Sequence, residues 1–165
     1  MILMNICIRK ARPKDCNEVI RLLKQISQLH HTGRPDIFKP DVSKYNSEDL
    51  RFKFTDPEQY IIVAADEEDH VLGYAFSYYE IKHDHRLLVD RKILYLDDLC
   101  VDDVCRGMNI GSQLFDAALA HAKETGCDSL ELNVWEFNTP AVRFYKKHGM
   151  TVKYSRMELP VEKTE

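Results

Sequence analysis

A chain of 165 residues, 44% apolar and 30% charged, holds enough apolar material for one ordinary globular core and too little for two. Its formal net charge of -4 is spread without a basic block or an acidic tail, which speaks against nucleic acid as a partner. No apolar run approaches membrane-spanning length, and the start, MILMNICIRKARP, has neither a basic segment nor a small-residue cleavage site around its short apolar run. A single soluble, cytoplasmic domain over 1–165, without a membrane partner, is therefore expected.

Taken in order, Ile6 and Ile8 alternate with polar neighbours and predict a first strand in NICIRKA. RPKD breaks that extended run ahead of Val19, Leu22, Leu23 and Ile26, which recur at helical intervals. HTGRPDIFKPDVSKYN, with two prolines, a glycine and no period, reads as a surface loop, and Ser47 is placed to cap a short second helix in SEDLRFKF. YIIVAAD and VLGYAFSYYEIK, rich in β-branched and aromatic residues, flank the polar turn EEDH as the arms of a hairpin. After the polar interval HDHRLLVDR, KILYLDDLCV predicts a further strand. A helix follows from Ile110 to Lys123, with Leu114, Ala118 and Ala122 on its buried stripe and Gly126 at its stop. SLELNV alternates as a strand, Thr139 is placed to cap the helix PAVRFYKKHG, and TVKYSRMEL predicts a closing strand. The order β-α-α-β-β-β-α-β-α-β implies an α/β domain, a mixed sheet with helices packed on it.

Five cysteines, Cys7, Cys16, Cys100, Cys105 and Cys127, form an odd, scattered set without a Cys-x-x-Cys pair, which argues against a disulfide framework and a structural zinc site. Histidines 30 and 31, and 83 and 85, lack the helical spacing and carboxylate partners of a metal site, so no metal is expected.

The junction CRGMNIGSQLF carries the strongest signal. A strand ending at Val101, then DDVCRGMNIG and a helix, sets Arg106 and several backbone N–H groups at the positive end of a helix dipole, a geometry suited to phosphate. The Walker loop is excluded, because Gly107-x-x-x-Gly111-Ser112 lacks both its spacing and its lysine; the dinucleotide fingerprint Gly-x-Gly-x-x-Gly is absent as well. Taken alone, such glycines equally suit a tight turn that binds nothing.

The companion segments add to this. Arg-x-x-x-x-Gly at Arg106 to Gly111, preceded by LCV and followed after a strand by NTPAVRFYKKHGM, resembles the acetyl-CoA-dependent GNAT N-acetyltransferase superfamily. Most of the chain falls in the family order, ending in Asn-x-x-Ala-x-x-Phe-Tyr-x-x-x-Gly; the departure is Asn109, where the first glycine of the phosphate motif usually stands. The resemblance implies a mostly antiparallel sheet with helices on both faces and acetyl-CoA as acetyl donor. It implies that the backbone of Arg106, Gly107, Met108, Asn109, Ile110, Gly111 and Ser112 cradles the pyrophosphate. Leu99, Cys100 and Val101 would run beside the pantetheine where the strands of YLDDLCV and LELNV splay apart. Asn138 and Ala141 would contact the pantetheine arm, and Tyr145 would stand near sulfur. Homodimers are common among such proteins, but no contact surface is legible here.

Acetyl transfer to an amine requires a neutral nitrogen, support for the oxyanion and a proton for the departing thiolate. Tyr145 is the candidate proton donor, since a phenol of pKa about 10 stays protonated at neutral pH. Asp97 and Asp98 are the candidate bases. If Leu99 and Val101 face the helix, alternation turns Asp98 and Cys100 to the opposite side, whereas a bulge would favour Asp97. A covalent route through Cys100 stands as an alternative, with no assigned histidine to activate the thiol. Asp36, Phe38, Glu80, Asp98 and Asn133 are the candidate acceptor-binding residues; Asp36, Glu80, Asp97 and Asp98 make an acidic set suited to a small-molecule or peptide amine, while Asp36 and Glu80 equally suit a turn and solvent, and Phe38 equally suits a tether of its loop to the core. The alternative from another class is a non-catalytic acyl-CoA-binding or sensing module.

Overall fold

The extended and helical segments resolve into a sheet with helices on both faces in the computed structural model, which describes residues 5–163; the opening MILM and the last two residues lie outside it. Strands β1 (Cys7–Lys10), β2 (Gln59–Ala65), β3 (Val71–Lys82), β4 (Arg91–Val101) and β5 (Ser129–Glu131) form one five-stranded sheet among the described residues, side by side in chain order. The pairings β1–β2, β2–β3 and β3–β4 are antiparallel, while β5 joins β4 in parallel. That last pairing needs a crossover, and α3 (Ile110–Glu124) supplies it. The described residues divide into two compact units, the first ending at Asn133 and the second beginning at Val134.

Helices α1 (Cys16–Gly33) and α2 (Ser47–Thr55) cover one face of the sheet. Val19, Leu22 and Leu23 of α1 and Leu50 of α2 are completely buried against Tyr74 and Phe76 of β3. Successive strand residues point to opposite faces, so Gly73 and Ala75 face α3. There a β-carbon on Gly73 would stand 2.8 Å from the Cys100 carbonyl oxygen and 3.1 Å from Leu114. Glycine is needed at that point because α3 sits directly on the backbone of the sheet.

The first helical turns differ in detail from the sequence reading. Asn46, rather than Ser47, caps α2: its side chain accepts from Asp49 N at 2.9 Å, and Asp49 Oδ2 accepts from Asn46 N at 3.0 Å. In the second unit, α4 (Thr139–Lys147) is capped by Asn138, whose Oδ1 accepts from Ala141 N at 3.3 Å, which moves Thr139 into the first turn. Residues 150–163 carry neither helix nor strand, so the expected closing strand is not formed among the described residues. Alternation suits a segment to a sheet face, but a strand exists only where a neighbouring backbone completes its hydrogen bonds.

Candidate active site

The register of β3 against β4 breaks at one place. Phe76 pairs with Asp98 and Ser77 with Leu96, so Asp97 is an extra residue on β4. Directly paired residues share a face, which puts Asp98 and Cys100 on the α1/α2 side with Phe76 and Tyr74, and Leu96 and Leu99 on the α3 side. A bulge lets two successive residues point the same way. Asp97 does so, since its Oδ2 accepts from Lys44 Nζ at 2.6 Å, with Tyr45 Oη at 3.5 Å; both partners come from the connection between α1 and α2. The bulge thus does not exchange Asp98 for Asp97. It presents both carboxylates on one side of the sheet.

Tyr74 is completely buried and donates to Asp98 Oδ2 at 3.0 Å. Burial, reinforced by the Asp98 charge, pushes the Tyr74 phenol well above its ordinary value, so it remains a donor. Withdrawal from water pushes the Asp98 carboxyl up to about 6 and Asp97 adds to the rise, while Lys44, the Tyr74 hydroxyl and the Leu99 N–H oppose it. Lys44 also loses water, which disfavours its ammonium, yet the hydrogen bond and charge of Asp97 outweigh that loss and raise its pKa. Burial pushes the Cys100 thiol up to about 12. Its Sγ lies 3.7 Å from the Leu22 carbonyl oxygen, in the core, so this thiol is a poor candidate for the covalent route.

On the far side of the bulge β4 loses a neighbour. β5 pairs only with Ile93, Leu94 and Tyr95 and ends at Glu131, whereas β4 continues to Val101. Leu99, Cys100 and Val101 therefore have β3 on one side and no β5 partner on the other. Beyond Val101 the chain enters α3 through two left-handed residues, Gly107 at φ 82° and Asn109 at φ 62°. Asparagine tolerates that region better than most residues with a β-carbon, which explains how it stands where a glycine is usual. The Asn109 side chain makes no cap hydrogen bond at the start of α3, and the first N–H groups of a helix have no intrahelical acceptor, which suits this turn to an anion. Beyond its own chain neighbours, Gly107 has no atom within 4 Å of where a β-carbon would stand. The Arg106 guanidinium is paired with Asp103, three residues earlier, and Met108 is partly exposed. This open strand edge leading to an uncapped helix start fits a long ligand that ends in phosphate.

Comparison with known proteins decides the assignment: the Acetyltransferase (GNAT) family matches residues 23–150. The chain belongs to the GNAT acetyltransferase family. It is 27% identical over 153 residues to the thialysine N-epsilon-acetyltransferase of Bos taurus, covering 87% of this chain and 83% of the relative. It is 28% identical over 149 residues to the peptidyl-lysine N-acetyltransferase YjaB of Salmonella typhimurium, covering 90% and 86%. Among solved structures, the tetramutant of the BH1408 protein from Bacillus halodurans superposes with a TM-score of 0.90 at 32% identity, covering 94% of this chain and 99% of that one. This GNAT protein is accordingly an acyltransferase, of a family that generally uses acetyl-CoA and an acceptor.

The remaining candidate residues of the acetyltransferase fall in different places. Asp36 is exposed and held by the guanidinium of Arg34 at 2.7 and 2.8 Å, which lowers its pKa, so it is tied within its own turn. Phe38 stacks on His30 with centroids 5.0 Å apart and its carbonyl bonds His31 Nδ1 at 2.7 Å, tethering the loop to the end of α1. Glu80 follows Tyr74, Phe76 and Tyr78 on the same face of β3, with Lys82 Nζ at 3.3 Å. Asn133 bonds the Tyr95 side chain through its backbone. In the second unit, Asn138 and Ala141 are joined by the cap of α4, and Tyr145 packs edge-on against Phe144. Sequence reasoning did not find Lys44, Tyr45, Tyr74 and Tyr78. The tyrosines of β3 were accessible through alternation once a face was assigned, but Lys44 and Tyr45 lie in an aperiodic loop that offers no such signal.

His83 pairs with Asp90 at 2.8 Å, and no group of three or more histidine, cysteine or acidic side chains suited to a metal occurs among the described residues. No helix among them is long and apolar enough to cross a membrane.

Proposed function

We propose that this protein transfers the acetyl group of acetyl-CoA to a primary amine on a flexible alkyl chain, in a small molecule or a peptide, by direct attack within a ternary complex. The observation that carries this reading is the β4 bulge, which turns Asp97 and Asp98 to one side and leaves Asp98 with a carboxyl near 6 beside an ammonium-bearing residue. Two relatives whose names specify thialysine and peptidyl-lysine acetylation support a lysine-like acceptor.

Bound acetyl-CoA supplies the activated acetyl thioester. The residues suited to hold it are the backbone from Arg106 to Ser112 for the pyrophosphate and the edge of Leu99, Cys100 and Val101 for the pantetheine; Asn138 and Ala141 are assigned to the same arm from the sequence motif. An alkyl ammonium of pKa about 10 has to lose a proton before it is a nucleophile. Asp98 is deprotonated above pH 6, and in that state it attracts the ammonium and accepts its proton, directly or through one water. Asp97 adds a second negative charge that orients the amine. The hydroxyl of Tyr74 holds Asp98 in place. Tyr145 is assigned as the donor of a proton to the departing thiolate, on its place in the motif.

The test is thiol release from acetyl-CoA with cadaverine or a lysine derivative as acceptor, over pH 5 to 9. For the native protein kcat/KM rises through a limb near pH 6. Asp98→Asn removes that limb and lowers kcat about a hundredfold at pH 7.5. An unchanged profile in the variant removes Asp98 from this role, and failure of cadaverine and lysine derivatives alike to raise thiol release above the amine-free rate overturns the proposed function.

A further inference from the structure

Lys44 presents to Asp97 the same chemical group that the proposed acceptor carries. Its Nζ lies 2.6 Å from Asp97 Oδ2, over the ring of Tyr45 at 5.3 Å from the centroid. It reaches the carboxylate from the connection between α1 and α2, not from the sheet, and its side chain keeps 44% of its surface exposed while that of Asp97 keeps 22%. An ion pair this open contributes about 1 kcal/mol or less, so it exchanges readily. Two ammonium groups on one carboxylate oxygen repel each other, so an incoming alkyl ammonium competes with the resident one for Asp97 Oδ2.

We infer that Lys44 is a tethered competitor for the acceptor's ammonium, and that this residue selects acceptors by their positive charge. The inference rests on reading Asp97 and Asp98 as the acceptor's site. A cationic amine replaces Lys44 with little net change in charge at Asp97. A neutral or weakly basic amine leaves Lys44 in place and meets an occupied carboxylate. Because Lys44 is fixed to the same chain, its effective concentration stays high whatever the acceptor concentration, and it sets a lower limit on the acceptor's KM. Specificity arises here as much from an occupant that has to be expelled as from the contacts made by the ligand that expels it.

Calorimetric titration of the full chain with cadaverine, a probe bearing two primary alkyl ammonium groups, tests this. Lys44→Met keeps an apolar stem and removes the charge; it binds cadaverine roughly twofold to sixfold more tightly than the native protein. Lys44→Arg retains a cation on Asp97 and shows no such gain. In an Asp97→Asn background, adding Lys44→Met brings no gain either, because the group for which the two ammoniums compete is gone. Equal or weaker binding by Lys44→Met overturns the inference, as does an equal gain in the Asp97→Asn background or a lack of cadaverine binding to every variant. Thiol release measured on the same proteins separates this result from the proposed function. The expected binding pattern without turnover sinks acyl transfer to alkyl amines and leaves the competition standing. Turnover with the same KM in native protein and Lys44→Met does the reverse.

Discussion

Asp98 carries opposing demands in a single side chain. Held near 6 in the folded protein against an ordinary value of about 3.9, its carboxyl favours the protonated form, so folding takes up protons at this residue. A raised acid contributes least to stability once it ionises: its unfavourable share grows as pH rises from about 4 and is complete above about 6. Asp98→Asn, which still offers Tyr74 an acceptor, therefore gains thermal stability relative to the native protein at pH 7.5 and loses that advantage at pH 4. Melting curves at the two pH values check this, and a difference that does not change with pH overturns it. The base proposed for catalysis is thus held at a cost to the fold, as strained or desolvated groups at functional sites commonly are.

At the scale of elements, the decisive contact is that of α3 on the sheet. Ile110 and Leu114 are buried against Gly73, whose missing side chain lets the helix approach the Cys100 carbonyl. A methyl group there would meet backbone at 2.8 Å, and backbone paired to β3 does not yield as a flexible side chain would. Gly73→Ala is expected to destabilise the protein by about 1–3 kcal/mol and, by moving the first turn of α3, to weaken acetyl-CoA binding in calorimetry. A stable variant with native affinity would show that the helix adjusts freely. The sequence announced α3, its stripe and its stop, because those are local patterns. It did not announce the role of Gly73, since a glycine within a strand does not reveal which helix will lie across it. Asn109 and Gly107 are an intermediate case: the residue types signalled a turn, and the observed left-handed backbone explains why these types stand there.

On the scale of the molecule, the first unit is tied across distant segments by a charged cluster remote in sequence from the proposed chemistry. Arg9 of β1 reaches Asp15 at 2.8 Å, ahead of α1, and Asp69 at 2.6 Å, in the turn between β2 and β3. Asp15 is 2% exposed and also accepts from Arg12 N at 2.7 Å. Removing Arg9 would leave this buried carboxylate short of its cation. Arg9→Met is expected to cost about 3–5 kcal/mol in denaturant unfolding, with much of that recovered by adding Asp15→Asn; no recovery would mean that the guanidinium acts through packing. Lys14, followed by Arg9, holds the Asp69 carboxyl down to about 2, so its favourable share is present above about 4 and fades as pH falls through 2.

What the sequence determined by itself was what depends on local spacing or on a motif. The hairpin, both long helices and the turn ahead of α3 were legible because side-chain period and turn chemistry act within a few residues, and the family followed from the order of two motifs. Asp98 was legible by alternation from Leu99. Tertiary structure alone decided that Asp97 is the bulged residue, that both carboxylates face α1 and α2, and that Lys44 and Tyr45 come to them from a loop without periodicity. It also decided that Asp36 is tied to Arg34. The physical reason is common to all of these. A register shift, a loop crossing and an ion pair are set by which segments meet across the sheet, and contacts between residues as far apart as 44 and 97 leave no periodic trace in the chain that forms them.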